Sequence, residues 1–234
     1  VALGRAGNGL PTAAHLDFQA AHASARDAVH AALDVAALRA DLNAAGLASI
    51  AVHSEAADRR AYLLRPDLGR RLRDADRAVL PATAIALLFV VCDGLSATAV
   101  QRHATVLLSS VVPELRRTGR TVAPIVVAEQ GRVALGDDIG EAMAAEAVAV
   151  LIGERPGLSA ADSLGVYLTW QPRRGRTDAE RNCISNIRPE GLAPTAAAKK
   201  LLWLIGAMRR LRLTGIGLKD EQPCSAPNLA IGTG

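Results

Sequence analysis

Four short segments hold most of the residues whose types could do chemistry. They are Asp93-Gly94-Leu95-Ser96, Glu129-Gln130-Gly131-Arg132-Val133, Gly153-Glu154-Arg155-Pro156-Gly157-Leu158 and Arg181-Asn182-Cys183-Ile184-Ser185-Asn186. They mix carboxylate, guanidinium, amide and thiol groups with glycine, a composition that can hydrogen-bond a polar ligand. Each also has a plain structural reading. Asp93-Gly94 is an ordinary turn pair, Ser96 an ordinary helix cap, and residues 153–157 a tight turn with Glu154 and Arg155 in water. Cys183 has no neighbouring histidine and no CxxC partner, which argues against a nucleophile. The sequence contains no GxxxxGK[ST], no HExxH and no GxSxG. Gly4-x-x-Gly7-x-Gly9 follows no convincing strand, so it does not read as a dinucleotide fingerprint. The histidines His15, His22, His30, His53 and His103 make no zinc spacing with cysteines or carboxylates.

The elements that must position these segments follow from hydrophobic periodicity. An alanine-rich helix is predicted over residues 13–33, and a second, capped by Asp34, ends at Gly46. Strand-like runs at 47–53 and 60–64 suit a hairpin, and a helix starting at Pro66-Asp67 runs through Leu72 to Val79. The texture then becomes βαβ. Residues 85–92 form a continuous apolar run, as expected of a strand buried on both faces of a parallel sheet. A helix over 97–117, a strand at 123–128, a helix at 140–147 and strands at 148–152 and 164–170 follow. Residues 171–192 read as an arginine-rich loop, Pro194 opens a last helix with Ala197, Leu201, Leu204, Met208 and Leu211 on one face, and the tail after Gly217 reads as irregular. The fold class is α/β, a Rossmann-like, mostly parallel sheet with flanking helices, preceded by a small helical segment. The boundary falls between residues 1–75 and 76–234. In such sheets ligands bind outside the carboxyl ends of the strands, which places the chemical segments along one crevice.

Composition narrows the function. With 234 residues, half of them hydrophobic, the chain can bury a sizeable core. Aromatics are only 3%, which removes stacking platforms for bases. Of 27 basic residues only Lys199, Lys200 and Lys219 are lysine, and the arginines are scattered among acidic neighbours, so nucleic acid is not the expected partner. The apolar run ending at Cys92 is far too short for a membrane span of roughly 20 residues. Cys92, Cys183 and Cys224 are widely spaced, which fits a reducing cytosol. The chain opens on Val1 without a secretory pattern, implying a processed or truncated N-terminus.

Several of these segments resemble the small (light) subunit of ethanolamine ammonia-lyase. The resemblance rests on Gly153-Glu-Arg-Pro-Gly-Leu-Ser159 and Arg181-Asn-Cys-Ile-Ser-Asn-Ile187. It is supported in order by Gly4-Arg5-Ala6-Gly7, Tyr62-Leu63-Leu64-Arg65-Pro66-Asp67-Leu68-Gly69-Arg70-Arg71-Leu72, Asp93-Gly94-Leu95-Ser96, Gly131-Arg132-Val133 and Asp138-Ile139-Gly140-Glu141. The resemblance implies a cofactor, adenosylcobalamin, and a partner, a large subunit whose TIM barrel holds the substrate, in a heterododecamer of six chains of each kind. It implies cobalamin contacts at Val133, Glu154 and Cys183, with no catalytic or metal-ligating residue on this chain. Its glycine-rich loops would let backbone approach a bulky ligand closely. No histidine stands in an Asp-x-His-x-x-Gly motif, so the base-on cofactor is expected. Localisation is expected to be cytoplasmic, free or within a bacterial microcompartment. Two rivals are a stand-alone small-molecule enzyme, which would need a phosphate cradle and an acid–base pair, and a purely structural subunit that never touches cofactor.

Overall fold

The computed structural model describes Gly9, residues 11–81 and residues 85–219. Six strands, β1 (Ser49–His53), β2 (Leu88–Cys92), β3 (Ile125–Glu129), β4 (Ala147–Gly153), β5 (Leu164–Trp170) and β6 (Arg181–Ile187), make one sheet in the order β1-β3-β2-β4-β5-β6. The first four run parallel, while β5 and β6 add antiparallel at one side. Around the sheet lie α1 (Thr12–His30), α2 (Val35–Ala44), α3 (Arg59–Leu64), α4 (Asp74–Arg77), α5 (Ala97–Arg117), α6 (Leu135–Ala142) and α7 (Pro194–Leu211).

β2 and β4 are buried along their whole lengths, which is why they are uninterrupted apolar runs. On one face Phe89, Val91, Val127, Ala149 and Leu151 pack against α5, α7 and α2 through residues such as Leu107, Leu108, Leu201, Ile205 and Leu38. α5 buries ten side chains despite Pro113 in its interior. At roughly 1.5–3 kcal/mol for each large apolar side chain, that burial exceeds the ~3 kcal/mol such a proline costs. On the other face Val90, Val126, Val148 and Val150 pack against Leu135, Ile139 and Met143. There α6 lies very close, because Gly136 and Gly140, one turn apart, would each drive a Cβ into Val150 (2.2 Å) or Pro172 (2.5 Å).

The fold class stands as expected, with several local corrections. Residues 60–64 are not the second strand of a hairpin. Asp58 accepts from the Ala61 amide at 2.7 Å and starts α3 instead, while β1 pairs in parallel with β3. The helix expected from Pro66 to Val79 is a 3-10 turn at Leu68–Arg70 and the short α4, because Leu72 between them is extended, bridging Ser54 and donating its amide to Asp138. The helix expected at 140–147 lies earlier, at Leu135–Ala142, leaving Ala147 to begin β4. The strand expected at 123–128 is shifted to Ile125–Glu129, and the run at 85–92 is strand only from Leu88. Residues 171–192 are not all loop, since they contain β6. Cys224, the Gly4-x-x-Gly7 pattern and the tail beyond Lys219 lie outside the described residues.

Candidate functional site

The carboxyl ends of β2, β3 and β4 share one edge, but the crevice expected between them is filled by the chain itself. Asp93, just after β2, accepts from the amides of Gly94 (2.9 Å), Gln130 (3.1 Å) and Gly131 (2.9 Å) and pairs with Arg59 at 3.4 Å. Burial pushes its carboxyl up to about 6, against the opposing pull of those amides and of Arg59. Ser96 caps α5 through the Ala99 amide and donates to the Ala161 carbonyl at 2.7 Å. The plain readings of Asp93-Gly94 and Ser96 therefore hold. A Cβ on Gly94 would stand 2.2 Å from the Gly153 carbonyl, one on Gly153 2.0 Å from the Ser96 carbonyl, and one on Gly131 2.7 Å from Cys92 Sγ. These glycines serve contact between loops.

Beyond α6, where the antiparallel strands extend the sheet, the surface opens. Glu154 follows β4 and folds over Gly165 of β5, where a Cβ would stand 2.9 Å from Glu154 Oε1. The Ser163 hydroxyl and the Asn186 amide (3.1 Å) both donate to Glu154 Oε2. Oε1 takes no hydrogen bond among the described residues and stays accessible. Next to it Tyr167 and Cys183 face each other across β5 and β6. Burial raises the Tyr167 phenol above its ordinary range, with Cys183, Glu154 and Asp178 adding to the effect. Cys183 is exposed, yet the protein around its sulfur, with Glu154 nearby, raises the thiol as well, so it is a neutral thiol near pH 7 rather than a nucleophilic thiolate.

Val133, in the turn between β3 and α6, packs on the second core and lines a cavity of about 670 Å³ with Arg70, Arg132, Arg174, Asp178 and Arg181. The turn is held by Tyr62, whose ring lies against the guanidiniums of Arg59 (4.7 Å) and Arg132 (4.5 Å) and whose hydroxyl donates to the Gly131 carbonyl at 3.3 Å. The far wall belongs to β6, anchored to α6 by the fully buried Arg181–Asp137 pair. Arg181 in this wall stands two residues before Cys183 on β6, so the cavity and the Glu154–Cys183 patch are neighbours.

Comparison with known proteins decides the family. The ethanolamine ammonia-lyase light chain (EutC) family matches residues 1–219. The chain is 54% identical to the ethanolamine ammonia-lyase small subunit of Xanthomonas campestris pv. campestris strain B100 and 55% identical to that of Azotobacter vinelandii. Each match covers 94% of this chain and 84% of the relative. It is 50% identical to the small subunit of Pseudomonas fluorescens strain Pf0-1 over the whole chain and 87% of that protein. The chain belongs to the ethanolamine ammonia-lyase light-chain family.

Within this light chain, the three expected contact residues do not occupy equivalent places. Glu154 and Cys183 share one open patch, Val133 lies in the adjoining cavity, and Cys183 is in the middle of a strand rather than in a loop after one. Sequence reasoning missed Gly165 and Ser163, which seat Glu154, and Tyr62, which seats the Val133 turn. A signal existed for Tyr62 in an arginine three residues before it, but its second partner, Arg132, is seventy residues away. Among the described residues no group of three or more His, Cys, Asp or Glu converges as a metal site, and no helix is long and apolar enough to cross a membrane.

Proposed function

We propose that this chain is the cofactor-binding light subunit of an adenosylcobalamin-dependent ethanolamine ammonia-lyase, which converts ethanolamine to acetaldehyde and ammonia. It acts with a large subunit whose TIM barrel holds the substrate, in a heterododecamer of six chains of each kind, in the cytoplasm or a bacterial microcompartment. The observation that carries the cofactor assignment is the half-used carboxylate of Glu154. Its Oε2 is fixed by two donors while Oε1, resting over Gly165, takes none among the described residues, which leaves an acceptor for an amide side arm of a corrin. Cys183 adds a neutral, polarisable thiol on the same patch, and Val133 gives the adjoining cavity an apolar contact.

The donor set fits the cofactor. Corrin side arms are primary amides that need acceptors, and the patch offers Glu154 and the hydroxyl of Tyr167. No histidine stands in an Asp-x-His-x-x-Gly motif, which supports a base-on cofactor that keeps its own nucleotide base on cobalt. When bound, adenosylcobalamin supplies a cobalt–carbon bond whose homolysis starts radical chemistry. This chain's residues hold and orient the corrin; none of them is assigned to act on substrate. A six-stranded open sheet does not close into a barrel that could seal such chemistry from water, so the catalytic cavity belongs to the partner.

Reconstitution with and without the large subunit, followed by equilibrium titration with adenosylcobalamin, tests the reading. Tight binding is expected only in the mixture, weakened by Glu154→Gln and by Val133→Asp. Binding to the large subunit alone with undiminished affinity would show instead a purely structural light chain.

A further inference from the structure

We propose that the cavity beside Val133 is an oxyanion site, and that the anion it takes is the phosphodiester of the cofactor's nucleotide loop. This rests on the reading that adenosylcobalamin lies against this chain. Six of the cavity's lining residues are arginines, Arg70, Arg71, Arg132, Arg174, Arg176 and Arg181, gathered from three separate stretches of sequence. Four of them already have carboxylates. Arg71 pairs with Asp67 and Glu55, Arg174 with Asp138, Arg176 with Glu180 and Arg181 with Asp137. The Arg70 side chain makes no hydrogen bond or ion pair among the described residues, and Arg132 has no carboxylate partner. Arg181 also stands 3.8 Å from Asp178, an exposed carboxylate of the same lining, and the two guanidiniums left without a carboxylate partner are those of Arg70 and Arg132. That pair suits a single phosphate-like anion, because guanidinium presents paired N–H donors to phosphate oxygens.

Arg132 is preorganised for this. Its guanidinium is stacked on Tyr62, one Nη donates to the Tyr62 carbonyl at 3.1 Å, and its Nε is buried without a partner. Its other Nη takes no partner among the described residues and is not buried, so it is the donor left for a ligand. A cavity of about 670 Å³ also suits part of a small molecule. The rival occupant, carboxylates of the large subunit, would use the same arginines, and the experiment separates it.

The test uses the assembled two-subunit enzyme without cofactor. Affinities are measured for adenosylcobalamin, for adenosylcobinamide, which keeps the corrin and upper ligand but lacks the phosphodiester and nucleotide, and for inorganic phosphate. Arg70→Gln, at an exposed residue with no structural partner, and Arg132→Gln are each expected to weaken adenosylcobalamin binding about tenfold or more at low salt. Adenosylcobinamide affinity should be unchanged, and phosphate should bind the wild type and compete with adenosylcobalamin alone. Equal weakening of both corrinoids, or of neither, overturns the proposal. Loss of subunit association with unchanged cofactor affinity assigns the arginines to the partner and also overturns it. Phosphate that binds without competing assigns the site to free phosphate and overturns the cofactor assignment. If Glu154→Gln and Val133→Asp also leave adenosylcobalamin affinity untouched, it is the underlying cofactor reading that has failed.

Discussion

Asp93 and Glu154 each stand one residue beyond the end of a parallel strand, β2 and β4, and those strands are neighbours. They are put to opposite uses. Asp93 is buried and saturated, with three backbone amides and Arg59 around it. Glu154 is half-buried and half-used, with one oxygen fixed by Ser163 and Asn186 and the other unpartnered. Between them Gly94 and Gly153 bring backbone against backbone, so the crevice between these strands, the usual ligand site of an open α/β sheet, is spent on structure. Unused hydrogen-bonding capacity lies to the side, where β5 and β6 carry the sheet beyond α6. A carboxylate at equivalent positions is therefore a saturated clamp in one case and a half-used acceptor in the other, and the neighbours decide which.

The largest expected effect breaks the clamp. Asp93→Ala leaves three amides and the Arg59 guanidinium without their acceptor and should cost about 3–5 kcal/mol in urea unfolding. A loss below about 1 kcal/mol would show that Asp93 is no more structural than Glu154. A smaller effect is the pH dependence. Burial raises Asp93 to about 6 from an ordinary 3.8, so between those values the folded chain holds a proton that the unfolded chain has released. Stability from this group is thus fully present below about pH 4 and falls as pH rises through 6, by on the order of 2–3 kcal/mol. Asp93→Asn should remove that part of the slope. Burial also raises Asp137 to about 6, so a residual slope of the same sign should remain.

The contrast between these two carboxylates also shows what a reader of the sequence could and could not see. β2, β4 and β5 were legible because full burial makes them apolar throughout or along one face. β6 was not. Its buried positions are Arg181, Ile184 and Ile187, where a buried ion pair supplies the first and a register irregularity near Asn186 (φ 56°) breaks the alternation. α6 was displaced because Asp137 and Asp138 look like surface residues, yet both are buried against arginines, and its glycines look like breakers although they are close-packing positions. Val133, Glu154 and Cys183 came from family motifs alone, since nothing local distinguishes them from turn or strand residues. The arginine cavity was invisible for a different reason. Arg70 and Arg174 are about a hundred residues apart, and the scattered arginine pairs read as solvated surface until the fold gathered them.

The Glu154 side of the comparison calls for small effects on stability and larger ones on binding. Gly165→Ala places a Cβ 2.9 Å from Glu154 Oε1, the end of a flexible side chain that can swing away. Unfolding free energy should therefore change by about 1 kcal/mol or less, while adenosylcobalamin affinity of the two-subunit assembly falls because the carboxylate has left its seat. Glu154→Gln is the gentlest change. The amide oxygen can still accept from Ser163 and Asn186, so stability should stay within about 1 kcal/mol of wild type. The new NH₂, however, puts donors where a corrin amide needs an acceptor, and affinity should drop about tenfold, the equivalent of roughly 1.4 kcal/mol. Destabilisation as large as that of Asp93→Ala would make Glu154 a second clamp. Unchanged affinity in both variants would leave its free oxygen without a role.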